Sequence, residues 1–402
     1  MLSFSYVARN PATGQKVKAT VQAENERAAS RVIAAQGLSP LEITLIKNTK
    51  GNFFTKPKSK DRVLFARQLA TLINAGLPLV QSLRMVQHQT TNKAMQAVIG
   101  ELITDVEAGV SFSEALKKKP TVFDNVFINL IAAGEVSGTL DRSLERLADQ
   151  QEKDAEITAK IKGAMVYPAV VVLVMVAVVS FMLITVLPQV KTLYDGIKGA
   201  KLPMLTQVLL DISSFITEYW WIVLILILII GVFTSRWIKT IGGKRVIDRL
   251  KMHAPLISPL FMKMYMARFS RTGSTLISSG VPLLQMLEIT GDSVDNIYIK
   301  ESIKRAITQI KGGKSLADAL EGDPNFLELV PNMLRIGEQS GSMEQMMSKT
   351  ADYFEKEVDN QVKAISTIIE PVLMIVLGVV ALIIVAAVLL PIYGLAGKNL
   401  AG

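Results

Sequence analysis

Few residues in this chain could carry covalent chemistry. It holds two histidines, His88 and His253, and no cysteine. A general base or a metal site needs such groups to converge, and these two lie far apart in sequence. His88 sits in a polar run (QHQTTNK) and reads as solvated. Without cysteine there can be no disulfide and no thiolate metal site. No HExxH, nucleophile-elbow or carboxylate-rich calcium pattern occurs. Lys311-Gly312-Gly313-Lys314-Ser315 resembles the tail of a phosphate-binding loop, but Thr308 stands where the upstream glycine is required. The corresponding stretch earlier in the chain has Val110 in place of the lysine, and valine cannot contact phosphate. We expect no catalytic residue, no cofactor and no metal. The methionines are scattered over apolar helix faces and read as adaptable core.

What remains is a pair of polar elements, Gly134-Glu135-Val136-Ser137-Gly138 and Gly337-Glu338-Gln339-Ser340-Gly341. Each reads as a helix–helix connection in which the first glycine ends a helix. In the second, Ser342 and Gln345 are placed to cap the next helix. The alternative is that Glu135 and Glu338, with Ser137, Gly138, Ser340 and Gly341, meet a basic side chain of a partner or neighbouring helix.

These elements belong to a tandem repeat. Phe65 to Leu83 and Phe269 to Leu287 share ten of nineteen aligned positions, including the turns Gly76-x-Pro78 and Gly280-x-Pro282. Downstream, Ser111-x-x-Glu114 matches Ser315-x-x-Asp318, two capping boxes. Pro168 then matches Pro371, and Pro188 matches Pro391. Leu64, Leu69, Leu72 and Ile73 have helical spacing, so each copy is expected to be a compact helical bundle.

Each copy ends in an apolar run. No charged residue lies between Pro168 and Pro188 or between Pro371 and Pro391. About twenty helical residues rise about 30 Å, enough to cross the hydrocarbon core. Proline costs little at a helix start and stops a helix at its far end, so the four prolines are expected to bound the spans. A third run, Tyr219 to Ser235, is flanked by Trp220, Trp221 and Trp237, as interfacial aromatics would be, and residues from Ile212 to Ile216 are available to extend it. Two copies running in the same direction need one return crossing, which this third run supplies. Arg236, Lys239, Lys244, Arg245, Arg249 and Lys251 follow it, whereas the 189–218 stretch mixes charges. The positive-inside rule then puts both bundles and the N-terminus in the cytoplasm and the C-terminus outside. The net charge of +9 is modest and sits beside the spans, so it points to membrane lipid rather than nucleic acid.

Residues 1–47 read as a separate α+β unit. Phe4 to Ala8, Val17 to Val21 and Leu41 to Ile46 have strand character, with a turn over Pro11 to Gly14 and a helix from Glu24 to Gln36 stopped by Gly37. The opening residues lack the apolar core of a cleaved export signal. Residues 48–60 are basic, broken by Gly and Pro, and read as a linker, in which Phe53 and Phe54 are candidate anchors. The expected plan is mostly α: repeat 1 at 61–165, span 1 at 166–188, an outer loop at 189–216 and span 2 at 217–235. Repeat 2 follows at 236–370, span 3 at 371–391 and an outer tail at 392–402.

The chain resembles the GspF/PilC family, the inner-membrane platform proteins of type IV pilus assembly and type II secretion. The resemblance rests on RQLATLINAGLP from Arg67 with its copy, on AGEVSGTLDRSLERLAD and IGEQSGSMEQMMSKTAD, and on VYP ending at Pro168. It also rests on LPMLTQVLLDISSFI and IEPVLMIVLGVVALIIVAAVLLPIY. The resemblance implies six helices per bundle, self-association, and contact with a hexameric cytoplasmic assembly ATPase, with pilins or pseudopilins and with other inner-membrane assembly proteins. The implied task is to couple ATPase motion to filament assembly. A pseudopilus for DNA uptake is the nearest alternative. A transporter would need ionisable groups within the spans, and an enzyme would need the reactive constellation missing above.

Overall fold

The computed structural model describes residues 2–9, 16–23, 26–35, 37, 39–45, 57–195, 203–255 and 257–399. The chain divides into two compact units, Met1–Lys56 and Pro57–Gly402. The smaller holds β1 (Leu2–Arg9), β2 (Lys16–Ala23), α1 (Glu26–Ala35) and β3 (Ser39–Leu45). Its sheet has the order β2-β1-β3, antiparallel on both sides of β1. Strand β3 shifts register between Val7 and Ala8, opposite Pro40, a residue that cannot donate to a ladder. The expected turn over Pro11–Gly14, and Phe53 and Phe54, lie outside the described residues.

The larger unit opens with α2 (Ser59–Asn74), α3 (Leu79–Gln89), α4 (Lys93–Glu107), α5 (Phe112–Lys117), α6 (Asn125–Ser137) and α7 (Leu140–Ala164). The second copy repeats this as α13 (Ser258–Ser278), α14 (Leu283–Ser293), α15 (Ile297–Lys311), α16 (Leu316–Leu320), α17 (Leu329–Ser340) and α18 (Met343–Asn399). Each copy is therefore a six-helix bundle. The turns repeat in detail. Gly76 and Gly280 have φ of 85° and 80°, left-handed values that favour glycine. Pro78 and Pro282 then open the next helices with nearly the same dihedrals, φ −59° and −58°.

In the first copy Phe65, Phe123 and Phe127 cluster, with Phe123 and Phe127 centroids 4.8 Å apart. In the second, Phe269 meets Phe326 edge-on at 5.2 Å. The expected core stripe needs one correction. Leu69 is buried, but Leu64 is 48% exposed and Phe65 takes the inward position. The helix phase through Leu69 and Leu72 puts residue 65, not 64, on the core face. Met95 is a core residue of the first copy, and Met266, Met286 and Met347 are core residues of the second.

The two bundles share one continuous core. At their seam, buried Gln150 donates to Thr272 Oγ1 at 2.8 Å, and Lys160 reaches Asp359 at 2.7 Å. Bundles that pack on each other must lie on the same side of any bilayer.

Among the described residues, three helical stretches are long and apolar enough to cross a membrane. The first continues α7 through α8 (Val166–Phe181), a π-helical turn (Met182–Val186) and α9 (Leu187–Asp195). The second is α11 (Trp220–Trp237), and the third is the apolar part of α18. Between them lie α10 (Met204–Glu218) and α12 (Ile241–His253). Ile212 to Ile216 do not extend α11. They belong to α10, which a bend at Tyr219 (φ −109°) separates from it. The expected outer loop is thus largely helical. Nor does the basic linker reach residue 60, because α2 already starts at Ser59.

The prolines do not end the helices as expected. Pro371 and Pro391 lie inside α18, and α9 runs past Pro188 to Asp195. Pro168 lies in the first turn of α8, immediately after a break at Met165. Proline removes one hydrogen bond and crowds one carbonyl. A long apolar helix whose other bonds remain can absorb that loss by bending. Before Pro188 it does so by widening into the π-helical turn.

Candidate functional site

The paired GE-x-SG elements are the most specific polar feature, and the structure shows what they hold. Glu135, on α6, accepts the Phe112 N–H at 2.5 Å and the Ser113 N–H at 3.0 Å. It also accepts the Ser113 hydroxyl at 2.5 Å. Glu338, on α17, accepts the Leu316 N–H at 2.6 Å and the Ala317 N–H at 3.2 Å. Each carboxylate therefore sits on the N-terminus of the short helix of its own copy, α5 or α16. That end has free N–H groups and a partial positive charge, so it attracts an anion.

This arrangement explains the phosphate-loop look of Lys311–Ser315. The residues do lead into a helix N-terminus of the kind that binds phosphate, and Glu338 of the same chain already fills it. Lys314 turns to Gln309 Oε1 at 3.2 Å. The serine half of each capping box forms: Ser111 Oγ accepts the Glu114 N–H at 3.3 Å, and Ser315 Oγ the Asp318 N–H at 3.0 Å. Hydrogen bonding to Ser315 and then to Arg335 holds the Asp318 carboxyl below its usual range.

The glycines divide the work differently from the sequence reading. Gly138 and Gly341 end their helices, with φ of 69° and 67°. Gly134 and Gly337 lie inside them. A Cβ on Gly134 would come within 2.7 Å of Ser143 Cβ, and one on Gly337 within 3.0 Å of Met343 Cα. The first glycine lets the following helix approach, and the second turns the chain into it. Ser137 donates to Ala133 O at 2.7 Å, and Ser340 to Ile336 O at 2.6 Å, each tying down the last turn. Ser342 meets the Ser340 hydroxyl at 2.6 Å. Between the glycines, Val136 is 91% exposed.

A second repeated feature escaped the sequence reading. Arg67 forks onto Glu152 (Nε to Oε1, 2.6 Å) and Asp149 (2.5 Å). Arg271 forks onto Glu355 (2.8 Å) and Asp352 (2.5 Å). Each fork ties the first helix of a bundle to the helix that leads into its span. Arg67 and Arg271 are identical residues within the aligned stretch, and that identity was the available signal. The hydrogen bond from Arg67 holds the Glu152 carboxyl below the usual range.

Where the bundles meet, a polar crevice of about 370 Å³ is lined by Gln150, Asp154, Arg268 and Thr272 among others. Burial in it pushes the Asp154 carboxyl up, against the pull of Arg268, whose Nε lies 3.6 Å away. Both histidines end helices. His88 is exposed in the last turn of α3, and His253 Nδ1 lies 2.9 Å from Arg249 O. Among the described residues no three His, Cys, Asp or Glu side chains gather as a metal site. The geometry as a whole positions helices. Its carboxylates accept backbone N–H groups and guanidinium forks.

The same architecture is matched elsewhere. Residues 65–188 and 269–391 each match the family model described as type II secretion system protein F, and residues 1–44 match that of its N-terminal domain. The chain is 38% identical to a type IV pilus assembly protein PilC of Thermus thermophilus, over 98% of both chains. It is 35% identical to PilC of Myxococcus xanthus, covering 96% of this chain and 93% of the relative. It is 34% identical to type II secretion system protein F of Vibrio cholerae, over 98% of both. With two full copies of the repeat and the N-terminal module in order, the chain belongs to the type II secretion system protein F family.

Proposed function

We propose that this chain is the inner-membrane platform of a type IV pilus or type II secretion apparatus, with both bundles in the cytoplasm. In this reading it couples a hexameric cytoplasmic ATPase to the assembly of pilins or pseudopilins. It does no bond chemistry itself. One observation carries the reading: both bundles are fused to their spans through α7 and α18, and the bundles share a core. A push on either bundle would therefore reach two spans, through unbroken α18 directly and through α8 past the turn at Met165. The relatives named for pilus assembly and for secretion support the setting. The exposed bundle surface, including Val136, is where we place ATPase contact, and the lipid-facing spans are where we place contact with pilin helices.

Deletion of the gene in its own host is expected to abolish filaments while pilin still accumulates in the membrane. Normal filaments in the deletion strain would end the proposal. Accessibility labelling of single engineered cysteines supplies the topological arm, in a chain without native cysteine. Labels on the bundles should react only from the cytoplasmic side.

A further inference from the structure

A proline within a helix deprives one carbonyl, a turn earlier, of its donor. In α18 Pro391 leaves the Ala387 carbonyl in that position, since an α-helical N–H bonds four residues back. Before Pro188 the count changes. The Leu187 N–H donates to the Met182 carbonyl, five residues back. In that register the carbonyl facing Pro188 is Leu183.

Helix α10 reaches both carbonyls. Thr206 Oγ1 donates to Ala387 O at 2.9 Å, and Ser213 Oγ donates to Leu183 O at 2.7 Å. Both hydroxyl residues are buried. They stand two turns apart on one face of α10. Leu210 lies between them and packs with Leu187 and Ala387. Apolar surroundings make an unpaired carbonyl costly, so the hydroxyls restore what the prolines remove.

We infer that α10 is a clasp, built to supply the two donors that Pro188 and Pro391 withhold. It thereby locks the far ends of the first and third spans into one unit. The helix lies between the two copies, outside both matched segments. Each copy carries a proline near its span's end, and the single intervening helix serves both. The middle span packs least: α11 makes its main contacts with its chain neighbours α10 and α12, and none of its residues is buried. The inference concerns which spans move together and holds whatever machine the protein serves.

The test uses the full chain in proteoliposomes, spin-labelled at Gln189→Cys and Leu390→Cys, two exposed positions on the clasped ends. The parent should give one narrow distance distribution. Thr206→Val with Ser213→Ala should broaden it and lower the thermal midpoint by about 2–4 °C. Thr206→Ser keeps the hydroxyl and should leave both readouts unchanged. The decisive arm is Pro391→Ala, which returns an N–H to the Ala387 carbonyl. In that background Thr206→Val should lose most of its effect. Equal effects of Thr206→Val with and without Pro391→Ala would overturn the inference, as would an unbroadened distribution in the double variant.

Discussion

The two bundles are built to one plan, and they differ most where each meets its span. In the second copy α18 runs unbroken for 57 residues, through Pro371 and Pro391. In the first, the helix breaks at Met165, where φ and ψ reach −85° and −10°, and only then enters α8. Pro168 and Pro371 are equivalent, so proline alone does not cause the break. The difference lies upstream. Gly163 in the first copy faces Ser366 in the second, whose hydroxyl donates to Val362 O at 2.9 Å. Glycine weakens a helix interior, and the interruption at Met165 follows two residues later. The partner helices differ too. α13 buries residues along most of its length against α18 and the first bundle, whereas α2 buries only Phe65, Ala66, Leu69 and Ala70. The second bundle is the more deeply anchored of the two.

The largest test of the common plan is the loss of a capping carboxylate. Glu135→Ala or Glu338→Ala strands two N–H groups and should cost about 2–3 kcal/mol, read by thermal or proteolytic unfolding of the full chain. The Gln variants should cost less, because an acceptor remains. If Ala variants unfold like the parent, these glutamates are not structural caps. Next come the close-approach glycines. Gly134→Ala should cost about 1–3 kcal/mol, and Gly337→Ala less, since its nearest neighbour is more distant. The reverse order would break the account of how the following helices approach.

The forks should separate the copies further. The Arg271 side chain is 20% exposed and the Arg67 side chain 35%. Arg271→Ala is therefore expected to cost about 1–2 kcal/mol and Arg67→Ala about 0.2–1 kcal/mol. Acid probes the first fork and a further pair between α13 and α18, Lys263 with Glu357 at 2.8 Å. Glu152 is held low by Arg67, and Glu357 by Lys263. A carboxyl whose folded pKa is depressed stabilises the fold above its unfolded value, about 4.3 for Glu, and loses that contribution as pH falls through the folded value. Melting curves should thus hold near neutrality and decline below about pH 4. The Glu152 part of that decline should vanish in Arg67→Ala. Smallest of all is Gly163→Ala, where a Cβ meets open space. It should stabilise the first copy by about 0.5–1 kcal/mol and reduce the asymmetry at Met165, seen as slower amide exchange across the break.

Much of this was legible in the sequence, for identifiable reasons. The Gly76 and Gly280 turns, the Ser111 and Ser315 caps and the helical character of each copy follow from local residue chemistry, and repetition doubled each signal; the count of six helices came from the family resemblance. The role of Glu135 was not legible, because its partners are backbone groups more than twenty residues away. The forks onto Asp149 and Asp352 were not legible either, because an arginine that grips a carboxylate from another helix leaves no local pattern. The proline readings failed for a different reason. Local propensity says where a helix would prefer to end, but a long apolar segment and hydroxyls from α10 supply what the prolines omit.

The length of α18 has a mechanical consequence. At about 1.5 Å per residue its 57 residues make a rod of about 85 Å. A bilayer core occupies only about 30 Å of that. A tilt of about 5° around a fulcrum in the lipid would swing a point about 40 Å away by about 3.5 Å. A small rocking of the bundle would thus arrive on the opposite face as a lateral stroke, with its direction reversed.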